Sequence, residues 1–360
     1  MKSSKVIFWS VLIIFVTLVG VAVYFSTSSE YQEVRDTKVD EDSESGSFLN
    51  NLFQKNDFME EESIAVGDEL SVFVENLQSG GPPPDGIPPV DEPEYSSVED
   101  AGDFLTDQDR IFVVDINGEV KLYPQQVLVW HEIVNDTFGD EELSVTYCPL
   151  TGTAIGYKNQ FESVDSDFGT SGKLLNSNLV MYDRQTDSLW PQIYGVGITG
   201  EHRGIEAELF PVVWTTWEKA RAHYPEAQVL SKNTGFIRSY GFDPYGSYLE
   251  DDTYYDSGEP FFPLLNEDDR LDAKEVVLGV KINGEQTAIL KSKIENEKVV
   301  RTTVGSVPVV AIWDEDLETA RAYIDSGVSE LNEDALEWAP SFDAMWFSWV
   351  AYYPETGLEI

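Results

Sequence analysis

The chain has 360 residues, 42% of them hydrophobic and 12% aromatic, which is enough for two domains, or one repeated domain, around a real core. Its formal charge of −43 excludes a nucleic-acid-binding surface and adhesion to anionic lipid, and it fits a solvated acidic exterior of the kind that salt-adapted proteins carry. A single cysteine, Cys148, excludes an intrachain disulfide and any multi-cysteine zinc or iron–sulfur centre within one chain.

At the N-terminus, Lys2 and Lys5 precede an uncharged apolar run, Val6 to Phe25, of bilayer-spanning length. Basic residues before the run and acidic ones after it predict a cytoplasmic stub (1–5), a single transmembrane anchor (6–25) and a C-terminal domain outside the cytoplasm. A cleaved signal peptide and a buried core helix are the alternatives. Residues 26–80 are rich in Asp, Glu, Ser and Asn and read as an acidic, largely disordered tether, with a short helix where Ile64 to Leu77 turns apolar. Residues 81–109 follow as a proline- and glycine-rich strap, beginning within "GGPPPDGIPPVDEPEY" (Gly80 to Tyr95).

From Arg110 the pattern becomes strand-like. "RIFVVDINGEVKLYP" is an apolar run, an Asn-Gly turn and a second run, the strongest short hairpin signal there is. The same design returns in "KEVVLGVKINGEQTAIL", Lys274 to Leu290. "VNDTFG" falls opposite "VRTTVG" at the same spacing, "LSVTYC" opposite "PVVAIW" after a one-residue deletion, and "TTWEKARAHYPEAQVL" resembles "FSWVAYYPETGLEI". The chain therefore reads as an internal duplication, with a first β-rich repeat over 110–273 and a shortened second repeat over 274–360. The predicted fold class is mainly β (a β-rich α+β fold), two pseudo-repeat units each closed by an amphipathic helix. In the first unit the helix is expected to be capped by Thr215, to end before Pro225 and to turn Trp217, Ala220 and Tyr224 inward.

The duplication separates scaffold from site. Cys148 falls opposite Trp313, His131 opposite Glu297, Asn135 opposite Arg301 and Asp136 opposite Thr302, whereas the neighbouring apolar positions recur. Any chemistry is thereby placed in the first repeat. His131 could activate the Cys148 thiol, with Asn135 or Asp136 orienting the ring, which makes Cys148, His131 and Asp136 the candidate catalytic set. The same residues also suit a soft-metal site, or a small buried hydrophobe beside a structural histidine. Asp183 and Arg184, in "SNLVMYDRQTDSLWPQ", with Trp190, Gln192 and Thr151, are candidate ligand-binding residues. Asp243, Asp251 and Asp252 lie in an acidic, aromatic, glycine-rich stretch that lacks the ligand spacing of an EF-hand.

"GGPPPDGIPPVDEPEY", "YPQQVLVWHEIVND", "VTYCPLTGTAI", "SGKLLNSNLVMYDRQTDSLWPQ", "PVVWTTW" and "DPYGSY" occur in this order, and together they resemble the prokaryotic family catalogued as domain of unknown function 3179, from about residue 80 onward. The resemblance supplies no activity and no catalytic residues. It implies export or membrane attachment. Where the family commonly reads C-P-L-C-G, this chain has Cys148-Pro149-Leu150-Thr151-Gly152, so no dithiol forms at this corner. The expected function is a membrane-anchored, extracytoplasmic module that binds a small molecule or protein partner through the first repeat. An enzyme or metal site using Cys148 and His131, and a structural scaffold without a site, are the alternatives. No cofactor is identified from the sequence, and the membrane is expected as a partner through residues 6–25.

Overall fold

The computed structural model describes residues 69–161, 164–251, 253–256, 258–327 and 336–360. The expected stub, the anchor and most of the tether lie outside the described residues, as does Asp252. Among the described residues no helix is long and apolar enough to cross a membrane. The body is mainly β, 39% strand against 13% helix, with five small sheets in a propeller-like ring.

Two of these sheets begin with the Asn-Gly hairpins. Arg110–Ile116 pairs with Glu119–Pro124, and Val276–Ile282 with Glu285–Leu290, both antiparallel. At each turn Asn and Gly take positive φ (Asn117 55°, Gly118 86°; Asn283 53°, Gly284 80°), the conformation a two-residue hairpin needs. Each hairpin gains an antiparallel edge strand, Val213–Thr216 or Ser341–Met345, and on the other side a short parallel strand, Gln228–Leu230 or Gly357–Glu359. Each is followed in the chain by an antiparallel array: Ile133–Phe138, Glu141–Cys148 and Thr153–Lys158 in the first half, where Leu209–Phe210 adds a fourth strand, and Val299–Val304, Val307–Asp314 and Thr319–Ile324 in the second. Corresponding strands in these arrays and hairpins differ by a constant 166 positions (299 − 133). That register places Cys148 opposite Asp314 with no deletion, rather than opposite Trp313, because Ile133 pairs with Thr146 as Val299 pairs with Ile312.

The fifth sheet belongs to the first half alone. Phe168–Leu175, Asn178–Asp183 and Leu189–Pro191 form an inserted antiparallel sheet, joined by Gln78–Ser79. Its central strand is buried on both faces and does not alternate, since it is packed between the first half and the closing segments of the second.

Each half has a short helix after its edge strand, Trp217–His223 or Trp346–Tyr352. The first is capped by Thr216, whose hydroxyl accepts from the Lys219 amide; Thr215 donates instead to the Leu317 carbonyl, across to the second half. Trp217 and Ala220 are buried as expected. The second helix is not amphipathic, because all seven of its residues are buried. Asn176 from the insert and Asn266 from the long segment after Leu230 both donate to its Ala351 carbonyl, at 3.1 and 3.0 Å, closing the face that the first helix leaves open.

The described body begins before the strap. Helix Glu69–Glu75 lies within the stretch expected to hold a short helix, and it packs Phe73 against Tyr194 and Tyr352. The strap itself is pinned at several points. Val90 bridges Val134, Tyr95–Ser96 adds a strand beside Gln228–Leu230, and Asp85 accepts from Tyr182.

Candidate functional site

Strand Glu141–Cys148 runs into a tight corner, where Gly152 takes φ of +57° and the chain returns as Thr153–Lys158. The corner is enclosed by the insert on one side and by the segment 231–273 on the other. Cys148 is buried, and its Sγ accepts from the Leu179 amide at 3.3 Å. Burial, reinforced by nearby Glu132, pushes the thiol up to about 11, away from the thiolate that a nucleophile needs.

His131 does not hydrogen-bond to this thiol. Its Nδ1 lies 2.7 Å from the Pro88 carbonyl and its Nε2 lies 2.6 Å from the Tyr240 hydroxyl. A carbonyl only accepts, so Nδ1 carries the proton and Nε2 accepts from Tyr240. Burial lowers the ring to about 4, which keeps it neutral. His131 thus ties the strap to the loop after Leu230.

Asp136 lies in a different cluster. It accepts from the hydroxyls of Tyr95 and Tyr123 in short hydrogen bonds, from Lys121 Nζ at 2.9 Å and from its neighbour Thr137's amide at 2.7 Å. Asn135 binds Asp91 and the Phe168 carbonyl, so it too holds the strap. Asp183 and Arg184 point to different partners. Asp183 is buried and accepts from Thr186, Trp190 Nε1 and His202 Nδ1. Burial opposes its charge, but these hydrogen bonds prevail and hold it below the usual carboxylate value. Arg184 reaches out to the strap at Asp91 (2.9 Å) and Asp85 (3.6 Å).

Thr151 and Gln192 do meet beside Cys148. Thr151 Oγ1 lies 2.7 Å from Thr153 Oγ1, which donates to Gln192 Oε1 at 2.7 Å. Asn178 Nδ2 donates to both Thr151 and Gln192, and Gln192 Nε2 donates to Thr146 at 2.9 Å. This network is fully buried, so each member depends on the others for its partners.

Two residues outside the sequence-derived set are chemically the least satisfied here. Glu132 is buried at φ +60°, a conformation uncommon for a side chain of its size, and its carboxyl has no hydrogen-bond or ion-pair partner among the described residues. Burial alone raises it to about 8. Lys274 Nζ is buried without a hydrogen bond, 3.3 Å from the ring centroid of Tyr254. Burial lowers it to about 7. Tyr254 links the two ends, since its hydroxyl donates to the Leu150 carbonyl at 2.6 Å, two residues beyond Cys148. Next to it Tyr248 and Tyr255 stack at 3.8 Å, and Tyr147, Gln125 and Asp243 complete a buried polar cluster. The signal for Glu132 was a carboxylate inside the apolar run "VWHEIV", adjacent to the histidine that drew notice. Lys274 and Tyr254 carried no local signal, because they reach the corner only through tertiary contact. Asp243 is tied to Gln125 and Tyr255, and Asp251 is exposed; among the described residues no group of three or more His, Cys, Asp or Glu could hold a metal ion.

Fold and site together define a strap-bound β-sheet protein with a polar corner shut off from solvent. The chain belongs to the family described as a protein of unknown function, DUF3179, whose family model matches residues 84–356. No curated protein and no solved structure matches it.

Proposed function

We propose that the protein is a membrane-anchored, extracytoplasmic binding module that takes a small polar ligand at the first-half corner, between Glu132 and Lys274. The observation that carries this reading is that burial disfavours the charge of two groups that border the Cys148 corner and make no hydrogen bond among the described residues, Glu132 beside Cys148 and Lys274 over the Tyr254 ring. Leaving such groups unpaired costs stability, and a structure retains that cost most readily where a ligand or reaction uses them. Segment 231–273 forms the cover, and Tyr254 lies between ligand and amine. The uncharged stretch 6–25 supports the anchor, and the acidic exterior agrees with exposure to the medium.

An enzymatic reading has one observation in its favour. An acid at about 8 and an amine at about 7 are both poised to exchange protons near neutral pH. Cys148, held neutral, would then line the site rather than attack. Competitive acylation tests the site. Lys274 should react with a water-soluble acylating reagent with a midpoint near pH 7, well below ordinary lysines, and Glu132→Gln protein purified natively should lose small molecules that co-purify with the unaltered chain. A Lys274 that titrates with the surface lysines would sink the proposal. Membrane attachment is tested separately. The full chain should sediment with membranes and a chain starting at residue 26 should not.

A further inference from the structure

The two halves meet at two places that the strand registers make equivalent. Thr153–Lys158 of the first half packs against Ser341–Met345 of the second, and its counterpart Thr319–Ile324 packs against Val213–Thr216. By the constant offset, Tyr157 corresponds to Tyr323 and Ile155 to Arg321. Tyr224 corresponds to Tyr353, since both end the short helices with nearly the same backbone (φ −123°, ψ 66°; φ −125°, ψ 67°). Trp214 corresponds to Asp343, because Trp214 pairs with Phe112 as Asp343 pairs with Leu278.

At the first meeting the space between the tyrosines is filled by the insert. Tyr157 donates a short hydrogen bond to the Gln192 carbonyl, and Tyr353 donates to the Ile193 carbonyl at 3.1 Å. Among the described residues the second half has no corresponding sheet. Between Tyr323 and Tyr224 there is instead a cavity of about 250 Å³, bordered also by Arg321, Trp214, Phe342 and Asp343. Three of these residues carry a buried polar atom without a hydrogen-bond partner among the described residues: Trp214 Nε1, Arg321 Nε and Asp343 Oδ1. Burial disfavours the Arg321 charge, but Tyr323, Asp314 and Tyr224 beside it prevail and hold the guanidinium above its ordinary value. From the first slot to the second, Ile155 is replaced by the cation Arg321, whose Nη2 pairs with Asp314 at 3.1 Å, and Asp343 on the first slot's edge strand is replaced by Trp214.

We infer that this cavity binds a short peptide, about two residues long, in the manner in which the other slot holds Gln192–Ile193. Trp214 Nε1 and Arg321 Nε, which have no hydrogen-bond partner among the described residues, supply donors to peptide carbonyls or the terminal carboxylate. Asp343 Oδ1 supplies the acceptor for an amide or ammonium. The volume suits a dipeptide and lies below the range of nucleotide- or drug-sized sites. This site does not require a ligand at the corner around Glu132, although Trp214 packs edge-on against Tyr147 and Tyr248 of that cluster.

The test uses the dipeptide Gln-Ile, free and with blocked ends, added to the full chain in titration calorimetry and hydrogen exchange. Saturable binding is expected, with protection confined to 212–214, 319–323 and 341–343. Arg321→Leu should weaken binding by about tenfold, the loss of one or two hydrogen bonds to a buried site. Trp214→Phe keeps the packing and removes only the N–H, so it should weaken binding even if Arg321→Leu fails to fold. Tyr353→Phe, in the occupied slot, should leave affinity unchanged. No heat and no protection at about 10 mM dipeptide, protection elsewhere, or binding of maltose in preference to dipeptide would overturn the inference.

Discussion

Glu132 shows how much one carboxyl can govern. Its folded value is about 8 against an ordinary 4.5. Below about pH 4.5 folded and unfolded chains both hold the proton. Between that value and about 8 only the unfolded chain releases it, so stability falls as pH rises and levels off above 8. Glu132→Gln, neutral and of the same shape, should therefore stabilise the protein on the order of 4 kcal/mol at pH 8 and very little at pH 4. Urea midpoints of both proteins across that range check the sign; a variant no more stable at pH 8 than at pH 4 would show that the carboxyl is not buried uncharged. The residue scale is also where the sequence was least readable. Cys148 and His131 stand out by rarity, yet rarity says nothing about which hydrogen bonds they make. Glu132 and Lys274 are common residue types, and only burial makes them unusual.

At the scale of elements, local chemistry was legible wherever it was self-contained. Both Asn-Gly hairpins follow from two residues that tolerate positive φ, whatever surrounds them. The first helix was placed from its Thr, Trp and Pro, but two adjacent threonines could cap it and the geometry selects Thr216, since Thr215 is drawn to Leu317 in the other half. Thr216→Ala should cost about 1 kcal/mol in thermal or urea unfolding, as loss of a capping hydroxyl does. A loss below a few tenths would show that the 3.5 Å contact to Lys219 is not a cap. The second helix could not be read as buried all round, because its outer face is covered by Asn176 and Asn266, which arrive from an insert and a long irregular segment.

At the scale of the whole molecule, the recurrence of hairpin, array, edge strand and helix could be read from matched blocks in the same order, because an unchanged spacing survives even where identities do not. The inserted sheet of the first half could not, since it has no counterpart among the described residues of the second half. Charge acts at this scale too. With −43 on one chain, self-repulsion opposes the compact state. Raising sodium chloride from about 0.1 M to about 1 M shortens the screening length from about 10 Å to about 3 Å and should raise the melting temperature. A melting temperature that falls with salt would place the decisive electrostatics in ion pairs such as Lys121–Asp136 rather than in repulsion.

The strap has a consequence for the order in which the chain assembles. Tyr95–Ser96 is synthesised well before its strand partner Val229–Leu230, and Gln78–Ser79 waits for Lys173–Leu174. The first half therefore cannot close as its residues appear. It must hold an early proline-rich ribbon open until well over a hundred residues have followed. Such distant closure is slow, so the strap sets the pace of folding while the second half, whose hairpin and three-stranded array join neighbours in sequence, is free to begin on its own.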